Sequence, residues 1–328
     1  MPTMEADPAT RPAPVSAPPT SRRDALLGLL RQLDADRYRF VTATPATHAR
    51  VVGRPGREEA RSLRDVLGWS LPFRADIVPP PILDLLRAGE AVRDAGEGRL
   101  QATVRVSSVR GALFVHSAYP TTDYDSVFLG PDSYRFADYI AARMGSFPSG
   151  ARILDYAAGA GVGGITAARG LVRPHLTLAD LNPKALALAS VNAAHAGIDH
   201  AAVEAGRPGD VPGPFDLIVT HPPFMMDEDG RAYRDGGNLY GARLSLDWVL
   251  AGVRLLAPGG RLILHTGVSI VDGRDVLLER LIPALTAEGL AMDYHELDPD
   301  IFSEDLDQPA YAEVERIAAV GLCVTRPT

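Results

Sequence analysis

Ala151-Arg152-Ile153-Leu154-Asp155-Tyr156-Ala157-Ala158-Gly159-Ala160-Gly161 reads as a strand, a sharp turn and the start of a helix. An apolar run ends on an acid, and after Tyr156 only Ala and Gly follow up to Gly161. Such small residues let a backbone come close to a bound ligand. A dinucleotide site would set a pyrophosphate on the following helix. Here Asp155 would meet that pyrophosphate with a like charge, so the turn suits a cationic group, such as the amino group of a methionine moiety.

Outward from this turn, strand-like and helix-like segments alternate. The predicted strands are 151–156, 175–180, 215–220, 261–267, 291–296 and 316–325, and the predicted helices are 162–169, 183–196, 242–256 and 274–288. That alternation argues for an α/β fold with a mainly parallel sheet covered on both faces. The second strand ends on Asp180, 25 residues after Asp155. A carboxylate there is spaced to accept hydrogen bonds from ribose hydroxyls, with Leu181 beside it. Asn182 and Pro183 form the cap and first position of the next helix.

The third strand, Phe215 to Thr220, runs into His221-Pro222-Pro223-Phe224. This resembles the Asn/Asp-Pro-Pro-Tyr/Phe motif of amino-type N-methyltransferases. Together with Asp155 to Gly161, Asp180-Leu181-Asn182-Pro183 and the Pro258-Gly259-Gly260 turn, it covers most of residues 127–328. The whole resembles the class I S-adenosylmethionine (SAM) methyltransferases of the "small-domain" group, which includes release-factor glutamine N5-methyltransferases and rRNA and tRNA base N-methyltransferases. The resemblance implies a Rossmann-like seven-stranded sheet and SAM as cofactor. It implies cofactor contacts from Asp155, Ala157, Gly159, Gly161, Asp180, Leu181 and His221, and catalytic roles for His221, Pro222 and Phe224.

The sequence departs from the family twice. Ala157 stands where the family has its first glycine, and His221 stands where it has Asn or Asp. In the family, the Asn/Asp oxygen and a backbone carbonyl accept the hydrogens of a planar amide or amine and aim its lone pair at the methyl group. The aromatic residue stacks on the planar target. A neutral imidazole instead offers one donor and one acceptor, and it also acts as a base near neutral pH. This points to a nucleophile that loses a proton, such as an amine, hydroxyl or carboxylic acid. The reading of His221 as acceptor, base or turn residue stays open at this stage. Beyond the motif, the loop 225–238 is rich in charge; Tyr233 and Arg234 there, with Phe224 and Tyr134, are the expected substrate contacts.

The N-terminal third reads differently. Residues 1–21 are mostly Pro, Ala, Thr and Ser and are expected to be disordered. Residues 22–126 are expected to form a smaller α+β accessory domain for substrate recognition. Its predicted helices start near Ser21, at 57–69 and at 82–88. A period of two from Leu100 and a turn at Val109-Arg110-Gly111 predict a β-hairpin, in a winged-helix-like arrangement. The methyltransferase domain is then 127–328, with a helix from 133 to 144.

Composition narrows the function. Net charge is −8, with +3 in residues 22–147 and −10 in 148–328. An acidic catalytic half is a poor partner for nucleic acid, so DNA is not the expected partner. The single cysteine, Cys323, excludes an intramolecular disulfide and a cysteine metal cluster. It lies in an apolar run and reads as a small core residue. No metal-ligand spacing or hydrolase motif stands out. The lack of a signal sequence or spanning segment predicts a cytoplasmic protein. The expectation is therefore N- or O-methylation of a small or medium metabolite, with protein-glutamine or RNA-base methylation and a non-catalytic SAM-binding module as the other readings. A homodimer is compatible with the apolar residues of the first domain.

Overall fold

The computed structural model describes residues 21–227 and 234–328. All but the last residue of the expected disordered tail, and Tyr233 of the loop, lie outside the described residues. The last residue of that tail, Ser21, caps the first helix.

The N-terminal segment carries α1 (Arg22–Ala35), α2 (Pro45–Val52), α3 (Leu63–Leu67) and α4 (Pro80–Ala88). It also carries β1 (Val92–Gly96), β2 (Arg99–Ala102), β3 (Val104–Val109) and β4 (Ala112–Ser117). Ser21 accepts from the Asp24 amide, and Leu26, Leu29, Leu30 and Leu33 line the buried face of α1. The expected helix over 57–69 shrinks to α3, which starts where Ser62 accepts from the Asp65 amide. The helix α2 was not foreseen; Thr44 caps it and Pro45 occupies its first position.

The turn at Arg110-Gly111 is real: both residues have positive φ, as a two-residue hairpin requires. The winged-helix expectation fails, however. All of β4 and most of β3 are buried, because the hairpin packs against the C-terminal part of the chain and does not project as a wing.

The second part begins with α5 (Pro131–Arg143) and continues β5 (Arg152–Tyr156), α6 (Val162–Arg169), β6 (His175–Asp180), α7 (Pro183–His195), β7 (His200–Glu204), β8 (Phe215–Thr220) and α8 (Arg243–Val253). It closes with β9 (Leu256–Val271), β10 (Arg274–Asp275), α9 (Leu278–Ala287), β11 (Ala291–Asp298) and β12 (Arg316–Thr325). The sheet order is β11-β12-β9-β8-β5-β6-β7, with β10 as a short flap on β9. The strands β5, β6, β7, β8 and β9 pair in parallel, and β12 is antiparallel to both its neighbours. This is the seven-stranded α/β sheet expected.

The edge strand β7 was missed, since His200-Ala201-Ala202-Val203-Glu204 has little strand propensity. The Pro258-Gly259-Gly260 turn is absorbed into β9 as an irregularity: Phe215 pairs with Leu256 and Leu217 already with Arg261.

From β5 the chain moves one way to β6 and β7, then crosses back to β8 and β9. Ligands bind at this reversal, beyond the strand C-termini. One hydrophobic cluster runs from Leu29 and Phe114 through Phe136 to Ile165 and Val191, so the hairpin, α5, α6 and α7 share a core. Asn192 on α7 ties this core together. Fully buried, it accepts from the Val115 amide at 2.8 Å and donates to the carbonyls of Val115 and Ala160.

Candidate active site

A cavity of about 190 Å³ opens at the reversal point. Its floor is the β5–α6 turn. Ala157, Gly159 and Gly161 all have positive φ, and only glycine adopts that region without strain. Ala157 therefore carries the strain that the family's glycine avoids. The turn hugs the sheet because α6 begins on glycines. A side chain at Gly164 would collide with Asp155 and Leu176.

Asp155 does not line the cavity. Buried beneath the turn, it accepts the Gly164 amide at 2.7 Å. Burial pushes its carboxyl up to about 8, against the opposing Gly164 hydrogen bond and with the help of nearby Asp180. Gly161 also stays off the cavity wall. Ala157, Gly159, Asp180, Leu181, His221, Pro222, Phe224 and Arg234 are on it. Asp180 is held by two amides: Oδ2 accepts from Gly159 at 2.9 Å and Oδ1 from Asn182 at 2.9 Å. Burial raises its pKa and these amides oppose the rise.

At the other end, β8 delivers His221 and the following prolines. His221 Nδ1 lies 2.8 Å from the His265 carbonyl on β9 and 3.2 Å from His265 Nδ1. Burial lowers the His221 pKa, while Asp132 and the His265 carbonyl oppose the drop. His265 itself is fully buried, with Nε2 unpartnered, and burial drives its pKa well down.

Asp132, at the start of α5, was not foreseen. It is a buried carboxylate on the cavity wall, and Arg135 donates to it at 3.1 Å. Burial raises its pKa; His221 and Arg135 pull it back. Only its place after Gly130-Pro131, at the head of a helix facing the motif, hinted at it. Ser126, Val127 and Phe128 also reach the cavity, as do Phe136 and Phe302.

Phe224 is buried, its ring 5.7 Å from His221 and 5.8 Å from Phe302. Gly267 leaves the space its ring fills. At the described ends of the charged loop, the Met225 amide donates to the Arg234 carbonyl and the Gly236 amide to the Met225 carbonyl. Arg234 bridges Asp305 at 2.5 Å and Asp227 at 3.4 Å. Tyr134 is not on the wall. Its hydroxyl accepts the Thr42 amide at 2.9 Å and fastens the N-terminal segment to α5.

Residues 140–264 match the family model of the methyltransferase small domain. The chain is 34% identical over 140 residues to the release factor glutamine methyltransferase of Deinococcus radiodurans, covering 42% of this chain and 49% of that one. The chain thus spans about half the length of this curated relative.

Among solved structures, the Trm5b of Pyrococcus abyssi resembles 72% of the chain, over 62% of its own, with 13% identity and a TM-score of 0.48. The M. jannaschii TYW2 in complex with AdoMet resembles 68% of the chain, over 85% of its own, with 14% identity and a TM-score of 0.45. Among the described residues, no group of three or more His, Cys, Asp or Glu is placed to hold a metal. No helix there is long and apolar enough to cross a membrane.

Proposed function

We propose that the chain transfers a methyl group from SAM to a nitrogen or oxygen of a small or medium molecule, with His221 accepting the proton released. The observation that carries this is the open face of His221. A carbonyl oxygen only accepts, so the bond to His265 needs its hydrogen on His221 Nδ1. Nε2 then holds a lone pair, on a residue of the cavity wall.

The residues fit the cofactor. Asp180 keeps lone pairs beyond those its two amide donors use, suited to ribose hydroxyls. Leu181, partly exposed, offers an apolar surface beside it. Asp132 is the buried carboxylate on the wall, and we assign it the cationic amino group that the sequence alone gave to Asp155. Bound there, SAM would supply an electrophilic methyl on a sulfonium, leaving as the neutral thioether. His221 Nε2 would take the N–H or O–H proton that the acceptor gives up. Phe224 and Pro222-Pro223 fix the acceptor's plane for in-line attack.

Pro45, Thr121 and residues 126–128 also line the cavity, and we read this added wall as suited to a small acceptor. Protein-glutamine methylation is the second reading, supported by the identity to a release factor glutamine methyltransferase. Incubation with methyl-labelled SAM and fractionated cell extract tests the choice. Label in the small-molecule fraction supports the first reading. Label in protein supports the second. SAM binding without label in any fraction overturns methyl transfer.

A further inference from the structure

Beside the main cavity lies a lobe of about 10 Å³, roughly one oxygen atom or water in size. It shares Pro45, Thr121 and Phe128 with the main cavity. Arg105 of β3 and His116 of β4 line it.

Arg105 is 4% exposed. Its Nε donates to the Gly68 carbonyl at 2.9 Å, its guanidinium lies 5.5 Å from the Phe40 ring, and its Nη2 has no hydrogen-bond partner. Among the described residues, no Asp or Glu pairs with it. The groups that act on its charge are the phenols of Tyr38, Tyr134 and Tyr119. His116 is 1% exposed, with Nε2 2.8 Å from Ser107 Oγ and Nδ1 unpartnered. A buried charge without a counter-ion is costly unless something of opposite sign comes to it.

We infer that Arg105 and His116 form a carboxylate subsite for the methyl acceptor, whose reacting atom lies at His221 in the adjoining cavity. This rests on the methyltransferase reading for the acceptor's identity, but not for binding of the anion. The lobe takes one carboxylate oxygen. A planar guanidinium is suited to such a group. Burial and the Arg105 charge both hold His116 neutral, so the subsite carries one positive charge, matched to one carboxylate. The acceptor is thereby a monoanionic acid with an amine or hydroxyl.

The test uses the full chain and two probes of similar shape, acetate and its neutral analogue acetamide, at constant ionic strength made up with chloride. Thermal unfolding is followed as each is titrated. Acetate is expected to raise Tm saturably, acetamide not, and Arg105→Met is expected to abolish the acetate shift. Arg105→Met should also raise Tm without ligand, because it removes the unpaired charge. Should Arg105→Met fail to fold, Arg105→Lys serves, with a weakened acetate shift expected. Equal responses to acetate and acetamide, or an acetate shift that survives either substitution, overturn the subsite.

With labelled SAM, the methylated product should be retained on an anion exchanger at neutral pH if the reactive nitrogen or oxygen is uncharged. Arg105→Met should raise its KM at least tenfold with SAM affinity unchanged. Acetate binding at Arg105 without methyl transfer would keep the subsite and remove the methyltransferase reading. Methyl transfer indifferent to Arg105→Met would do the reverse.

Discussion

His221 Nδ1 sits 2.8 Å from the backbone carbonyl of His265, and this one contact fixes the tautomer of the motif histidine. With the hydrogen on Nδ1, Nε2 carries the free lone pair, the end proposed as the base. His265 Nδ1, 3.2 Å away, must then act as an acceptor. In ¹⁵N NMR of histidine-labelled protein at pH 7, the His221 pair is expected to show a protonated Nδ1 and an unprotonated Nε2. A protonated Nε2 would contradict the assignment.

Burial lowers the pKa of His221 below its ordinary value of 6.5, and Asp132 counters it. Activity that needs neutral His221 is retained above its folded pKa and lost as pH falls through it. In Asp132→Asn the opposing charge is gone, so the His221 pKa falls further. The acid limb of the kcat/KM profile should therefore move to lower pH. The His265 carbonyl remains and still favours the protonated imidazole, so the shift measures the Asp132 charge alone. A limb that stays in place or moves up would separate Asp132 from His221.

Asp180 is expected to bind the ribose. Charged hydrogen bonds contribute about 1.5–3 kcal/mol each, so Asp180→Ala should weaken SAM binding at least tenfold by calorimetry. Part of the loss comes from the Gly159 amide, which Asp180 now holds. Unchanged affinity would remove Asp180 from the cofactor site.

Asn192 couples the two halves of the chain. Its side chain satisfies both backbone groups of Val115 and the carbonyl of Ala160 in the β5–α6 turn. Asn192→Ala leaves all three buried and unpaired, at about 1–3 kcal/mol for each group. Chemical denaturation should show a loss of at least about 2 kcal/mol, together with weaker SAM binding. A neutral substitution would mean that water or a backbone shift satisfies these groups.

The sheet was legible because its strands are short apolar runs ending in acids or turns, as at Asp155, Asp180 and Thr220. The His221–Phe224 motif and the β5–α6 turn announced the cavity in the same way. Three other features were hidden. Asp155 looks from sequence like a ligand group, but its depth is set by how closely α6 approaches β5, and Gly163 and Gly164 control that approach. Asp132 and the buried pair Arg105 and His116 lie far from the motif in sequence; only the packing of α5 and of the β3–β4 hairpin brings them to the cavity. Tyr134, expected at the substrate, instead holds the Thr42 amide through its hydroxyl.

The most direct test of the whole account is methyl transfer by His221→Ala, measured with methyl-labelled SAM on the extract fraction that wild-type protein labels. General-base assistance contributes about 10²–10⁴-fold. The account predicts a turnover loss of about that size, with SAM affinity within about twofold of wild type. Turnover surviving within a few-fold would make His221 a turn residue and leave the proton without its acceptor.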